Sequence, residues 1–439
     1  MKLSKLNKMQ KFLMGGAVVA AACLSFVVFR VTAQPVNLTD HVDVKPITTE
    51  DSYHNSSFKD AYPLEYDSYE TKNLEQSKTP TGYGGSIPYQ HWDDEPANVP
   101  NFAGYAFSKD YAEDRGHVYA LEDIDKTLRI TDKSTGYCIT CKTPYLEKLY
   151  QEYGWDYAYK PFAEIRAEVP NDSHIGCANC HDPQTMELRV INPAFIQSMA
   201  RRGIDVNNAP HNDMRGYVCG QCHAEYYLAP NGAGLIFPYD NGYTAQEMYE
   251  YYQTKPNGFD NDWIHPESKV HEIKAQHPDW PIWATSVHAD NGVTCIDCHM
   301  PYMTHQGQKY TSHWMTSPMK TQKESCSKCH KLDDDKLLAR VKKIEDNTFS
   351  AQFKAGEDVK AANTAIGNAM KAGATDAELA DAREFARRAQ WYWDYCSASN
   401  GMGFHNPDQT LTTLADSIEY AHKAIEAAQR AAAAHGANI

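Results

Sequence analysis

The chain has 439 residues, 42% of them hydrophobic, which suffices for one large domain or two to three ordinary ones. Its mean hydropathy of −0.62 excludes a protein with many membrane spans. Without the first 33 residues, 37 basic residues face 57 acidic ones, a net charge of −20. Such a surface does not suit nucleic acid, and an anionic substrate would need a local positive region to enter.

The first 33 residues have the pattern of an export signal. Four lysines precede an apolar run over residues 12–29, and Val31-Thr32-Ala33 is typical of a small-residue cleavage site. The run is longer than in most signals, so an uncleaved single-span anchor is the alternative to a cleaved signal peptide over residues 1–33. Cys23 suggests lipid attachment, but the apolar LSFVVF that follows argues against it.

Residues 34–110 are rich in Tyr, Pro, Asn and Asp and predict irregular, wrapping structure. Residues 116–132 have helical spacing of their apolar side chains, with Arg129 on the predicted helix. Residues 138–330 hold repeated cysteine motifs, separated by turns rich in Pro, Gly and Asn.

After residue 332 the composition changes to a charged, alanine-rich one. An apolar stripe within residues 333–371 predicts one helix, and a capping box of Thr375 and Glu378 predicts a second that runs towards Tyr395. A third is predicted over residues 411–435. We therefore expect a region 34–332 that carries the chemistry and a helical region 333–439. The latter either packs on the first region or forms a dimer surface.

Ten of the twelve cysteines form five C-x-x-C pairs: Cys138/Cys141, Cys177/Cys180, Cys219/Cys222, Cys295/Cys298 and Cys326/Cys329. A histidine follows directly in four of them: His181, His223, His299 and His330. Disulfides and zinc ribbons do not explain a histidine at this fixed offset, whereas covalent attachment of c-type haem does. Five covalently attached haem c groups would supply much of the buried apolar area. The predicted fold is therefore mainly α, a multihaem cytochrome c with little β, haem-wrapping segments and long C-terminal helices.

The fifth motif, GYCITCK, has Lys142 where the others have histidine. One explanation is a decayed motif whose haem takes another ligand. The other is that the lysine amine itself binds the iron, since lysine loses its proton readily in a desolvated site. Haem with histidine on both faces only passes electrons, whereas chemistry requires an open face. Four ordinary haems and one unusual haem indicate a single catalytic site fed by four relays, which suits multi-electron reduction of a small molecule.

The motifs GYCITCK, RGHVYAL, CGQCHAEYY, KAQHPDW, VTCIDCHMP and AQWYWDY, in this order, resemble the pentahaem, ammonia-forming cytochrome c nitrite reductases. The resemblance covers about residues 104–405 and, more loosely, the last helix. The segment between Arg129 and Cys138 is short for the family, which affects the rim of the expected pocket.

The resemblance implies that Lys142 is the proximal ligand of the haem on Cys138 and Cys141, and that nitrite binds on the open face. It implies three pocket residues, Arg129, Tyr226 and His277. It also implies four histidine pairs on the other irons: His117 with His223, His288 with His330, His313 with His181, and His405 with His299.

The resemblance further implies a Ca²⁺ site beside this haem. Its ligands would be the Glu225 carboxylate, the Gln276 side chain, and the carbonyl groups of Tyr226 and Lys274. The family implies a periplasmic homodimer that takes electrons from a membrane quinol dehydrogenase cytochrome or a soluble multihaem donor. Cys396 is read as a buried small residue.

Two other functions remain open on sequence alone. One is a non-catalytic multihaem electron-transfer cytochrome, in which a further ligand closes the Lys142 site. The other is a related reductase that acts mainly on hydroxylamine or sulfite. A structural or adhesive protein does not explain five attachment motifs.

Overall fold

A computed structural model describes residues 48 and 50–439. The predicted signal peptide or anchor over residues 1–33 lies outside them. Among the described residues, no helix is both long and apolar enough to cross a membrane. The expected mainly α fold is confirmed, because helices dominate and the strands are few and short.

The part of the chain before residue 260 contains short helices: α1 Pro63–Glu70, α2 His91–Asp94, α3 Asn98–Asn101, α4 Ala120–Lys126, α5 Leu146–Tyr153, α6 Phe162–Glu168, α7 Cys177–Cys180, α8 Pro193–Arg201, α9 His211–Gly220 and α10 Ala245–Gln253. Single 3-10 turns lie between them, including His117–Tyr119 and Gly136–Ile139.

The remainder begins with short helices and ends with three long ones: α11 Asp279–Ala284, α12 Val287–Asp290, α13 Cys295–His299, α14 Cys326–Cys329, α15 Asp334–Lys371, α16 Ala380–Ser397 and α17 Pro407–Ala434. In the part of the chain that the structure describes, the strands form three antiparallel pairs: β1 Tyr227–Ala229 with β2 Gly234–Ile236, β3 Trp263–Ile264 with β4 His271–Glu272, and β5 Tyr302–His305 with β6 Gln308–Thr311.

Each cysteine motif forms or ends a helical turn. Helices α7, α13 and α14 begin at the first cysteine of a motif, and α9 ends in the third. Residues three apart in such a turn lie on one face, so both cysteines of a pair point the same way. Gly220 lets α9 approach α11, because a Cβ at this position would lie 2.6 Å from Trp280 Cγ.

The three long helices pack on one another, and small residues allow them to approach closely. Buried alanines line the contact on α15 and α17, among them Ala355, Ala362, Ala421 and Ala428. Helix α17 starts at Pro407, earlier than predicted. The contacts of Thr375 with Glu378 form as expected, at 2.7 and 2.8 Å, but precede the first residue of α16 by a turn. Cys396 is buried, as predicted.

The helix expected over residues 116–132 is wrong in extent. It is interrupted at its start by a 3-10 turn and ends at Lys126. The Asp110 carboxylate accepts hydrogen bonds from Thr127 Oγ1 and Leu128 N, both at 2.7 Å, and Thr127 is extended. These bonds replace the next helical turn, so Arg129 lies in the following turn. The described residues form one compact unit, and the division at residues 332 and 333 stays a prediction.

Candidate haem sites and active site

Four of the five cysteine motifs line one continuous cavity of about 2270 Å³. A pocket for one small ligand is typically about 300–1,000 Å³, so this cavity has room for several large groups. It is lined by eight of the ten motif cysteines, and those outside the lining are Cys326 and Cys329. Cys329 is exposed, which places the last motif at the surface.

We number the sites by their cysteine pairs along the chain, so that the first site holds Cys138 and Cys141 and the fifth holds Cys326 and Cys329. Contacts between cysteines show which sites are neighbours. Cys141 meets Cys222, and Cys219 meets Cys295. Cys180 interacts with Cys219, and Cys298 with Cys326. The third site therefore adjoins the first, second and fourth sites, and the fourth adjoins the fifth.

Each motif histidine faces the distal histidine that the family resemblance implied. A metal binds an imidazole nitrogen at about 2 Å, so two imidazoles on opposite sides of one metal have ring centres about 6 Å apart. The observed separations of ring centres agree with this: 6.1 Å for His117 and His223, 6.1 Å for His181 and His313, 6.2 Å for His288 and His330, and 6.2 Å for His299 and His405.

Several of these rings have their Nδ1 atoms turned to acceptors. A backbone carbonyl only accepts a hydrogen bond, so an Nδ1 that faces one must carry the proton, which leaves Nε2 free to bind a metal. The Nδ1–oxygen distances are 2.8 Å from His181 to Met186, 2.9 Å from His299 to Thr316 and 2.9 Å from His313 to Thr311. These residues therefore fit haem iron.

Two further rings share a carboxylate that the sequence analysis did not single out. The Nδ1 atoms of His405 and His223 lie 3.2 and 3.5 Å from the oxygens of Asp279. Burial opposes a charge on Asp279, but the contacts with His223 and His405 hold its pKa well below the usual range. Asp279 lies inside KAQHPDW, so the matched motif contained a signal for it.

In the first site, Lys142 lies beside an aspartate that sequence reasoning also missed. Lys142 Nζ is 3.1 Å from Asp114 Oδ2. Burial works against the charged amine, but Asp114 raises the pKa of Lys142. Lys142 in turn lowers the pKa of Asp114 to about 2. Asp114 directly precedes RGHVYAL, and its proximity to Lys142 comes from the tertiary fold alone.

Arg129 lines the same cavity, and its guanidinium carbon lies 4.8 Å from the centre of the Phe107 ring. Its positive charge adds to that of Lys142 in lowering the pKa of Asp114, whereas burial raises the pKa of Cys138 to about 11. Arg129, Lys142 and Asp114 therefore form one charged group beside the first cysteine pair.

His277 and Tyr226 also line the cavity, and the elements around the third motif hold them. His277 N donates to the carbonyl group of Ala224 at 3.2 Å, and its ring centre is 4.5 Å from that of His223. Burial lowers the pKa of His277 to about 4, and the nearby His223 adds to this effect. Burial raises the pKa of Tyr226 well above its usual range. The three pocket residues predicted from the resemblance thus share one cavity with Lys142.

Three of the four proposed calcium ligands lie in direct contact. Glu225 is fully buried, and its Oε2 accepts from Gln276 N at 2.7 Å. The Gln276 side-chain amide lies 3.2 Å from the Lys274 carbonyl oxygen. Asp262, which sequence reasoning missed, accepts from Lys274 N at 2.8 Å.

Burial raises the pKa of Glu225 well above its usual range and that of Asp262 to about 6. Two buried carboxylates whose pKa values are raised in this way favour a nearby cation. Carboxylate and carbonyl oxygens are also the donors that Ca²⁺ prefers. The residues present therefore fit the ion.

Cysteine turns around one cavity, with imidazole pairs spaced for a metal, define a multihaem c-type cytochrome. The family model described as Cytochrome c552 matches residues 54–439, and the chain belongs to this family.

Relatives of known name agree with this assignment. The chain is 38% identical to the cytochrome c nitrite reductase subunit NrfA of Nitratidesulfovibrio vulgaris (strain Hildenborough) over 421 residues, which cover 87% of this chain and 80% of the relative. It is 33% identical to cytochrome c-552 of Porphyromonas gingivalis (strain W83) over 446 residues, 99% of this chain and 88% of the relative.

Among solved structures, the fold matches the cytochrome c nitrite reductase of Desulfovibrio desulfuricans ATCC 27774, whose catalytic subunit NrfA has two calcium sites. The TM-score is 0.81 and the identity 36%, with 86% of each chain covered. The resemblance to the cytochrome c nitrite reductases that the motifs indicated is confirmed, and so is the expectation of covalently attached c-type haem.

Proposed function

We propose that this protein reduces nitrite to ammonium in the periplasm, by six electrons, at a Lys142-ligated haem in the first site. The other four sites would carry bis-histidine haems that supply electrons. The observation that carries this proposal is the contrast among the sites. Four cysteine pairs have imidazoles separated for one metal, whereas the first has an amine, with Arg129, Tyr226 and His277 lining the same cavity.

A haem held by Cys138, Cys141 and Lys142 would supply electrons and an iron with one open face. Lys142 would hold the iron as a neutral amine and would release its proton to solvent. Asp114, 3.1 Å from Lys142 Nζ, would then accept a hydrogen bond from an N–H of the bound amine and orient it.

The pocket residues provide the charge and the protons that nitrite reduction requires. Arg129 offers a fixed positive charge and several N–H donors to the nitrite oxygens, in a chain whose surface is strongly acidic. His277 would hydrogen-bond the oxygen that leaves as water, which favours N–O cleavage. The Tyr226 hydroxyl would deliver a proton or a hydrogen atom in later steps.

Calcium would hold this pocket in shape. Among the proposed ligands, Tyr226 is itself a pocket residue and Glu225 directly precedes it. Gln276 directly precedes His277. One ion would therefore fix both Tyr226 and His277 in place. Lys274 contributes its carbonyl oxygen, while its ammonium group is bound to the buried Asp394 at 2.7 Å. That ion pair keeps the Lys274 charge from opposing a cation at the site.

The electron route would follow the contacts among the cysteines. The second, fourth and fifth sites connect to the first through the third. The donor would be a membrane quinol dehydrogenase cytochrome or a soluble multihaem cytochrome, and the functional unit a homodimer formed through the helical region 333–439.

The decisive experiment combines haem quantitation with an assay of nitrite and ammonium under reduced viologen. We expect five haems per chain and one ammonium formed per nitrite consumed. The reduced protein should also change its absorption spectrum when carbon monoxide or nitrite is added. A protein with five haems and no spectral change would instead be an electron-transfer cytochrome. Faster turnover of hydroxylamine or sulfite than of nitrite would reassign the substrate.

A further inference from the structure

Asp279 is a buried carboxylate that touches imidazoles from three different sites. Its side chain is 8% exposed. Its Oδ1 lies 3.2 Å from His405 Nδ1, and its Oδ2 lies 3.5 Å from both His223 Nδ1 and His277 Nε2. The Ser399 hydroxyl donates to Oδ1 at 2.7 Å. One anionic group is therefore shared by the third site, the fourth site and the substrate pocket.

The backbone holds this carboxylate firmly in position. Asp279 N donates to the His277 carbonyl oxygen at 2.9 Å, and Trp280 N donates to the His223 carbonyl oxygen at 3.0 Å. Trp280 in turn packs on Gly220 of the third motif. The start of α11 is thus tied to the histidine that Asp279 contacts, which keeps the Asp279 backbone beside the third motif.

The other axial histidines with an Nδ1 contact have neutral acceptors. The partners in the second site are carbonyl oxygens on both sides, and His299 of the fourth site also faces a carbonyl oxygen. His117 of the third site has Met315 Sδ at 2.9 Å. One axial ligand of the third site and one of the fourth therefore face a negative charge at Nδ1, through a hydrogen bond at His223 and by proximity alone at His405.

A carboxylate on Nδ1–H makes the imidazole a stronger electron donor to a metal on Nε2. A stronger donor and a nearby negative charge both favour ferric over ferrous iron, which lowers the reduction potential. We propose that Asp279 is a positioning residue that lowers the potentials of the third and fourth haems together, relative to the second. This inference rests on the ligand pairs of the proposed function.

The test is Asp279→Asn in the full chain with its haems attached, since asparagine keeps the shape and removes the charge. Potentials are measured by titration followed by absorption and by electron paramagnetic resonance of the low-spin ferric haems. We expect two low-spin haems to shift to higher potential with altered g-values, while the second-site haem stays unchanged. Five haems with wild-type potentials and g-values would overturn the proposal.

Asp297→Asn is the matched control. Asp297 lies inside the fourth motif and pairs with Arg215 at 2.6 Å, so its loss removes a charge close to the same haem without removing a contact to an axial ring. A shift equal to that of Asp279→Asn would mean that general charge, and not the shared contact, sets the potentials, which also overturns the proposal.

Ser399→Ala covers the case in which Asp279→Asn fails to take up haem. Without the Ser399 hydrogen bond, the carboxylate charge is less compensated, so we expect the fourth-site potential to fall, opposite to the shift in Asp279→Asn. No shift would overturn the proposal. Failure of the proposed function is seen separately, because a wild-type protein without four low-spin, bis-histidine signals would reject the ligand pairs themselves.

Discussion

The first and second sites begin from the same C-x-x-C turn and end in opposite environments. In the second site, His181 and His313 face each other at 6.1 Å, and both Nδ1 atoms have carbonyl acceptors. In the first, Lys142 lies against Asp114, and Arg129 adds a further charge. One region has two neutral rings held alike, whereas the other is charged and asymmetric.

The pair of cysteines therefore does not decide what a haem site can do. The two cysteines and the residue that follows them would supply the attachment and one axial group, but the groups on the opposite side of the metal come from distant parts of the chain. A haem iron with an imidazole on each side suits electron transfer. An iron with an amine on one side and hydrogen-bond donors on the other suits binding of an anion.

The largest effect on nitrite turnover should come from removing the positive charge of Arg129, which distinguishes the first site from the second. In Arg129→Ala we expect nitrite turnover to fall by about 100- to 1,000-fold, because the donors to the developing negative charge are lost. His277→Ala should behave in the same way. The measurement is steady-state ammonium formation, together with haem content, which should stay at five.

Arg166→Ala is the control for this variant, because Arg166 forms an ion pair with Asp125 at 2.8 Å on another helix. It should keep full turnover. Wild-type rates in Arg129→Ala would reject the assigned pocket.

Lys142→His makes the first motif identical in type to the other four. In our proposal the first site differs from the second mainly on the face of the metal opposite residue 142, which carries no protein ligand. We therefore expect the variant still to bind carbon monoxide when reduced. Turnover should fall by about 10- to 100-fold, since the imidazole changes both the donor strength and the placement of the metal. Complete loss of carbon monoxide binding would mean that the lysine itself keeps the face open.

Calcium removal should loosen the first site and leave the second unaffected. We expect a chelator to lower nitrite turnover by about 10-fold without releasing haem, with partial recovery on adding Ca²⁺. Glu225→Gln should have the same effect. Glu384→Gln is the matched control, because Glu384 accepts from Tyr249 OH at 2.9 Å much as Glu225 accepts from Tyr252 OH at 3.0 Å. An enzyme indifferent to chelation would exclude the proposed ion.

The smallest expected effect is on the stability of the fold and comes from Glu95, which lines the cavity wall. It should not depend on the first or the second site. Burial raises the pKa of Glu95 from 4.5 to about 7. A carboxyl group with a raised pKa in the folded state stabilises the fold at low pH, and this contribution is lost as the pH rises from about 4.5 through 7. Glu95→Gln keeps an acceptor for Gln352 Nε2 and removes the charge.

We expect Glu95→Gln to be more stable than wild type by about 3 kcal/mol at pH 8 and equal to it at pH 4. The measurement is thermal or denaturant unfolding at both pH values, with nitrite turnover unchanged. Asp93→Asn, which removes an exposed carboxylate close to Glu95 in the chain, should not give this gain. Equal stabilities of Glu95→Gln and wild type at pH 8 would contradict the prediction.

Much of the candidate site was accessible from the sequence because its chemistry is encoded locally. The five cysteine pairs, Lys142 and the motif histidines are fixed offsets along the chain. The distal histidines were not accessible in this way, since fifteen histidines remained and spacing could not choose among them. The family resemblance named four, and the structure brings each of them to its implied partner.

Some residues carried no usable local signal. Asp114 and Asp262 are ordinary acidic residues until the fold sets one beside Lys142 and the other near Glu225. At Arg129 a local signal was present but misleading. Apolar spacing predicted a helix through Arg129, but Thr127 and Leu128 donate hydrogen bonds to Asp110, which precedes that segment, and the helix ends before Arg129.

Motifs along the chain sufficed to predict the number of attachment sites, the lysine that stands where the other motifs have histidine, and the mainly α class, because covalent chemistry and short periodicities act between near neighbours. The packing of the folded chain was needed to show which sites adjoin one another, which imidazoles have the spacing that fits one metal, and which buried carboxylate contacts several of them. Those relations depend on how distant segments pack, and packing is a property of the whole chain.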